Sequence, residues 1–220
     1  YGNTEYKKIF NLKYKNIFLN KNLFQSQSKK YVNEFIKIEK EKKSDLIEIH
    51  NRPNYLKYLT QSLSKRTYAL FFHNDPLTMT GSKSIEDRKL LLRICYKIIF
   101  NSNWSKKRFL EGMQNKFVNS DKLIVVFQSA RTNSIDLNKK NKWITFVGKL
   151  NKSKGYDIFG KAILRILNKY PDWKSIVIGD EQRDKIDFSH KHLDKLGFLN
   201  HSKVIDIFKK TSIAVVCSRW

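Results

Sequence analysis

Short apolar runs recur along the chain without a polar residue at every second position. They occupy residues 46–49 (LIEI), 68–72 (YALFF), 97–100 (KIIF), 123–127 (LIVVF), 143–147 (WITFV), 174–178 (KSIVI) and 213–217 (IAVVC). A strand with one wet face alternates, whereas a parallel strand covered on both faces reads as a near-continuous apolar stretch. These runs therefore predict buried parallel strands. Between them the apolar spacing lengthens to that of helices. Ser82 or Ser84 can cap a helix through IEDRKLLLRIC, with Glu86 and Asp87 in its positive first turn. Ser105 can cap KKRFLEGM. The segment YDIFGKAILRILNKY places Ile158, Phe159, Ala162, Ile163, Ile166 and Leu167 on one face, with Pro171 just past its end. SKVIDIFKKT turns Val204, Ile205 and Phe208 inward. Strand and helix in alternation predict an α/β chain built on doubly wound parallel sheets.

The alternation breaks once. Residues 128–143, QSARTNSIDLNKKNKW, carry no apolar period and read as a linker. They separate a first α/β unit, residues 1–130, from a second, residues 141–220.

Charge complicates this picture. The formal net charge is +24 over 220 residues, a balance that points to nucleic acid or an anionic membrane surface. Yet the lysines are spread along the whole chain and travel with Asn and Ile, as in NLKYKNIFLNKN at residues 11–22. General composition accounts for most of the charge. The aromatics lie in apolar runs rather than among the basic residues, and no nucleic-acid motif is present, so no nucleic-acid partner is expected. No stretch approaches the ~18 consecutive apolar residues of a membrane helix. The opening YGNTEYKKIF does not read as a signal peptide. Cys95 and Cys217 both sit in apolar runs and read as buried free thiols, consistent with the cytoplasm. The five histidines show no metal-ligand spacing, so no metal cofactor is expected.

Open parallel sheets bind ligands beyond the carboxyl ends of their strands. Candidate chemistry is therefore sought just past each run. His50, Asn51 and Arg52 come after the first, and His73 and Asn74 after the second. Asn101 and Ser102 come after the third. Two strands of one unit ending in His-Asn form a pattern, although a loop-cap hydrogen bond accounts for either histidine equally well. Arg52 suits a substrate carboxylate or phosphate, and a solvated or paired arginine is an equal reading. In the second unit, FVGKLNKSKG leaves a strand through Gly148 and enters a helix at Lys154-Gly155. A helix N-terminus exposes N–H groups and a positive dipole to an anion, and Lys149 and Lys154 could straddle a diphosphate. Neither Gly-x4-Gly-Lys-Ser/Thr nor Gly-x-Gly-x-x-Gly is present. A lysine-rich chain also yields such a loop by composition alone.

Taken together, WITFVGKLNKSKGYDIFGKAILRILNKYPDWKSIVIGD and HLDKLGFLNHSKVIDIFKKTSIAVVCSRW closely resemble the C-terminal half of the GT-B glycosyltransferases of family 4. DLIEIHNRP and LFFHNDP…KIIFNSNWSKKRFLEG resemble the acceptor-side domain of the same enzymes. The resemblance covers the chain from about Asp45 onward and is strongest over residues 143–220. It implies two Rossmann-like parallel-sheet domains, both incomplete here, and transfer of a sugar from a nucleotide-sugar donor to a glycan or lipid-linked acceptor. It further implies retention of configuration, no metal, and a setting in cell-surface polysaccharide or lipopolysaccharide synthesis. The expected place is the cytoplasm, with peripheral contact to an anionic membrane.

By the same resemblance Gly148, Lys149 and Lys154 hold the donor diphosphate, and Phe198 and Leu199 lie beside the nucleobase. His73 reaches towards the donor sugar, and His50, Asn51, Arg52, Asn74 and Ser102 lie on the acceptor side. Two departures stand out. The usual arginine after the glycine is Lys149, which keeps the charge and loses the planar fork. The acidic Glu-x7-Glu segment that comes after Ser-Arg-Trp in the family is not present, so the chain reads as an internal fragment, itself expected to be inactive. Its expected consequence is exposed apolar surface at Val215 and Cys217. The alternative readings are another GT-B-like enzyme, a sugar-nucleotide epimerase or a phosphorylase, and a nucleic-acid-binding protein.

Overall fold

The computed structural model describes residues 17, 26–114, 117, 120–129, 134–183 and 186–219. The opening segment, residues 130–133 of the polar stretch and Trp220 lie outside the described residues. The chain divides into two compact units, Tyr1–Ala130 and Arg131–Trp220.

The first unit runs α1 (Gln27–Lys42), β1 (Leu46–His50), α2 (Asn54–Ser62), β2 (Thr67–Phe72), α3 (Ile85–Ile94), β3 (Lys97–Phe100), α4 (Asn103–Leu110) and β4 (Leu123–Val125). The strands lie in chain order and every pair is parallel. Tyr68, Ala69, Leu70 and Phe72 of β2 are buried, as a central strand with helices on both faces requires. β1 departs from that expectation. Ile47 and Ile49 are buried while Leu46, Glu48 and His50 are exposed, because β1 is an edge strand with one wet face. The rings of Phe72, Phe100 and Phe109 close the core with centroids 5.4 to 5.7 Å apart.

Helix α3 begins with a capping box in which the Ser84 hydroxyl accepts the Asp87 N–H and the Asp87 carboxylate accepts the Ser84 N–H. Ser82 has another role: its buried hydroxyl donates to the Pro76 carbonyl. Helix α4 starts earlier than the sequence predicts. Ser102 caps it, and Ser105 lies buried inside its first turn. Arg88 is buried and donates to the carbonyls of Phe109 and Glu111, satisfying the end of α4.

The second unit runs β5 (Asn141–Val147), α5 (Tyr156–Lys169), β6 (Lys174–Ile178), β7 (Leu193–Lys195), α6 (His201–Lys210) and β8 (Thr211–Val215). Its order is β7-β6-β5-β8, all parallel. The chain steps outward from β5 to β7, then returns through α6 to the opposite side of β5. The strand order therefore reverses between β5 and β8, which is where a doubly wound sheet opens a crevice.

Helix α5 buries a narrower face than its pattern suggests. Phe159, Ile163 and Leu167 are buried, together with Tyr156 and Gly160, whereas Ile158, Ala162 and Ile166 are exposed. Gly160 is buried because the Phe188 ring lies where a side chain would stand. In α6, Val204, Ile205 and Phe208 are half-buried. Strand β8 starts at Thr211, whose hydroxyl bonds to that of Thr145 at 2.8 Å. Val215 and Cys217 are half-buried against the core, neither the exposed surface expected at both positions nor the fully buried thiol read for Cys217. The apolar groups that face outward are instead Ile213 and Val216, the latter 86% exposed. Cys95 is buried, and its burial pushes the thiol up to about 12.

Tyr156 illustrates a cost inside this core. Its ring packs against Phe146, Phe159 and Phe188, yet its hydroxyl finds no hydrogen-bond partner among the described residues. Burial and the nearby Asp187 raise its pKa. An unsatisfied buried hydroxyl costs about 1–3 kcal/mol. Tyr156→Phe keeps the ring and removes that group. The variant is expected to unfold at higher urea concentration than the parent, and a lower midpoint would mean that the hydroxyl is satisfied.

Candidate active site

In the first unit the residues after β1, β2 and β3 form one hydrogen-bonded rim. Asn51 adopts a left-handed backbone (φ 55°), a conformation that asparagine tolerates better than most residues. In that conformation its N–H donates to the Phe71 carbonyl and its Oδ1 accepts the His73 N–H, both at 2.8 Å. The Asn101 amide donates to the His73 carbonyl at 2.9 Å, and its Oδ1 accepts the Ser105 hydroxyl at 3.0 Å. The backbone of His73 is thus clamped by an asparagine on each side.

That clamp sets where the side chains meet. His50 Nδ1 lies 2.9 Å from His73 Nε2, and Gln128 Nε2 lies 3.0 Å from His73 Nδ1. On the far side, His50 Nε2 faces Glu48 Oε2 at 3.6 Å. The Phe71 ring stacks on His50 at 4.4 Å. Burial and the neighbouring His50 hold the His73 pKa below its usual value, which favours the neutral imidazole. A pocket of about 540 Å³ opens beside the rim, walled by Tyr31, Phe35, Tyr55 and Leu59, with His50 and Arg52 at its polar end. Arg52 donates to the Asn51 carbonyl at 2.8 Å and its side chain is exposed, as is Asn74. Ser102 is committed to its cap, accepting the Ser105 N–H at 3.2 Å, so its hydroxyl is structural before it is anything else.

The strand-end pattern thus brings His50, Asn51, Arg52 and His73 together. It misses Gln128 and Glu48. Gln128 sits just past the run at 123–127, as His73 sits just past its own, but the polar stretch beyond Gln128 masks the parallel.

In the second unit a glycine comes just after each of three adjacent strands, directly after β5 and β6 and one residue further on after β7. The Gly148 N–H donates to the Ile178 carbonyl at 2.9 Å, and the Gly179 N–H to the Gly197 carbonyl at 2.8 Å. A Cβ on Gly179 would stand 1.9 Å from the Gly148 oxygen, and its φ of 131° is itself a glycine conformation. The glycines thus let the strand ends approach each other closely, and at Gly197 nothing lies within 4 Å of where a side chain would stand. Lys149 and Lys154 are exposed at this loop, and the Lys154 stem runs 3.8 Å from where a Gly148 side chain would be. Lys149 also borders a hollow of about 250 Å³ with Asp180, Glu181 and Arg183. Arg183 holds the Glu181 carboxylate down to about 2. Phe198 is 74% exposed and Leu199 half-buried, both just past Gly197.

The loop between Gly148 and α5 is internally bonded, which corrects one expectation. Asn151 Oδ1 accepts the Lys154 N–H at 3.1 Å, and the Asn151 carbonyl accepts the Tyr156 N–H at 3.2 Å. Gly155 is left-handed (φ 71°) and buried, with the Cys217 carbonyl where a side chain would be. The positive end of α5 is not vacant. Asp157 sits in its first turn and accepts N–H groups there, and Arg219 grips that carboxylate through two bonds of 2.8 Å. The Arg219 guanidinium holds Asp157 down to about 2. Arg219 also donates to the Lys152 carbonyl. A bound anion would therefore meet the lysine side chains and the glycine rim rather than open helix N–H groups.

Among the described residues no group of three or more His, Cys, Asp or Glu is placed to hold a metal ion. None of their helices is long and apolar enough to cross a membrane.

Comparison with known proteins agrees with this geometry. The family described as glycosyl transferases group 1 matches residues 128–220. No curated protein matches the sequence. Among solved structures, Anabaena HepE in complex with UDP-glucose is similar with a TM-score of 0.61 and 16% identity, over 86% of this chain and 57% of its own. The lipopolysaccharide outer core galactosyltransferase WaaB has a TM-score of 0.55 and 14% identity, over 87% of this chain and 55% of its own. A Listeria monocytogenes protein assigned as a UDP-N-acetylglucosamine 2-epimerase has a TM-score of 0.57 and 10% identity, over 96% of this chain and 62% of its own. The chain spans under two thirds of each of these three. Such likenesses carry the fold, two parallel-sheet α/β units of GT-B type, and residues 128–220 match the family of group 1 glycosyl transferases.

Proposed function

We propose that the protein carrying this chain transfers a sugar from a nucleotide-sugar donor to a hydroxyl of a glycan or lipid-linked acceptor. The observation that carries the reading is the glycine rim over β5, β6 and β7, which meets the switch point at Gly148, with Lys149 and Lys154 beside it, in the segment that matches the family. In transfer the bond from the anomeric carbon to the diphosphate oxygen breaks and a bond to the acceptor oxygen forms. The leaving diphosphate gains charge. Lys149 and Lys154 supply the fixed positive charge that stabilises it, so no metal is called for. Phe198 offers an exposed ring to the base. His73 orients the sugar, and His50, Asn51, Arg52 and Asn74 lie on the acceptor side. Family 4 membership, retention of configuration and a role in lipopolysaccharide or related surface glycans belong to the same proposal. So does a cytoplasmic place at the anionic membrane face, which the net charge of +24 favours.

The test is calorimetric titration of UDP and of GDP into the chain with EDTA present, and then product analysis of the full-length protein that carries it with UDP-glucose. Binding that persists in EDTA and release of UDP coupled to a new glycoside support the reading. An epimerised sugar nucleotide would place the chain with the epimerases, and absence of binding by either nucleotide would overturn the donor site.

A further inference from the structure

We infer that Glu48, His50 and Gln128 act as positioning residues that lock His73 into one tautomer, with the proton on Nε2 and an acceptor lone pair on Nδ1. The inference rests on the proposed function only for what His73 then does, not for the lock itself.

The geometry fixes each proton in turn. Glu48 Oε2 faces His50 Nε2 at 3.6 Å, and a carboxylate there favours a proton on that nitrogen. A neutral His50 then presents a lone pair at Nδ1. His73 Nε2, 2.9 Å away, must supply the proton of that bond. This leaves His73 Nδ1 as an acceptor, and the Gln128 amide nitrogen donates to it at 3.0 Å. The carboxylate in contact with His50 at one end and the amide donor bonded to His73 at the other thus favour the same tautomer.

Ring placement supports a true bond between the histidines. Their planes differ by 8° and their centroids lie 5.2 Å apart, about the separation of two imidazoles joined in line across a 2.9 Å bond. The proton therefore points along the lone pair in the plane of both rings. Phe71 stacked on His50 holds that plane, and the asparagine clamp on the His73 backbone fixes the other ring's root.

The lock decides what His73 can bind. Both of its ring nitrogens are occupied by exposed partners, of which His50 is also held by its stack on Phe71. A ligand that reaches His73 displaces the Gln128 amide and meets an acceptor nitrogen. The group that takes its place is a hydrogen-bond donor, such as a sugar hydroxyl, and not a carboxylate or phosphate oxygen.

The experiment is long-range proton–nitrogen correlation on the chain with nitrogen-15 histidine at pH 8, with His73 assigned through His73→Asn. The expected result is a protonated Nε2 and an unprotonated Nδ1 for both His50 and His73. Gln128→Glu, which puts an acceptor opposite Nδ1, is expected to move the His73 proton to that nitrogen. His50→Phe keeps the stack on Phe71, removes the bond, and is expected to release His73 into a mixture of tautomers. A wild-type His73 protonated at Nδ1, or a pattern unmoved in both variants, overturns the lock. No nucleotide sugar enters this measurement, so its failure and a failure of the transfer assay are told apart.

Discussion

Gly155→Ala is expected to destabilise the second unit by about 2–5 kcal/mol, as left-handed strain and overpacking add. The two effects arise at one atom. Gly155 has a φ of 71°, and a Cβ there would stand 1.9 Å from the Cys217 carbonyl oxygen, which is backbone and cannot rotate away. Gly197→Ala is the control, because its φ is 65° but nothing lies within 4 Å of its Cβ. That variant meets only the strain, about 1–2 kcal/mol. The check is the urea midpoint of each, and equal losses would mean that the loops after β5 and β8 do not meet as described.

The second large effect is on binding. Lys149→Ala with Lys154→Ala is expected to weaken UDP binding at least a hundredfold. Each charge-assisted hydrogen bond to a phosphate contributes about 1.5–3 kcal/mol, and ~1.4 kcal/mol is tenfold in affinity. Both side chains are exposed, so the fold should survive their loss. Uridine carries no phosphate and serves as the internal reference. Its affinity is expected to stay level in the double variant, and a parallel fall for uridine and UDP would move the lysines away from the diphosphate.

The strands were legible in the sequence as short runs dominated by apolar residues. The run at 174–178 is β6 to the residue. The exceptions have physical reasons. β7 is the three-residue LDK at a sheet edge, too short and too charged to show a period. Helices α1 and α2 mix lysines and tyrosines so closely that the apolar spacing is diluted, although Val32, Leu56 and Leu59 are all buried. In the site, the sequence pointed to the strand-end histidines because two alike in one unit form a pattern. It could not show that they bond to each other, since the parallel register that sets His50 opposite Phe71 is a tertiary fact. The anion site at α5 was misjudged for a related reason: the sequence shows Asp157 in the first turn, but only the fold brings Arg219 across to hold it there.

That grip also bears on the order in which the protein takes shape. Arg219 and Asp157 are 62 positions apart, and Gly155 touches Cys217 at the same remove. Contacts of such long range form late, since a long loop must close before they repay its entropy. As the chain leaves the ribosome, β5, α5 and β6 can pair while the loop that carries Lys149 and Lys154 still lacks its far wall. Only when β8 docks on β5 and residues 217–219 arrive does that loop acquire its final form. The loop proposed to hold the diphosphate is then among the last parts of the second unit to take shape, after its sheet is whole.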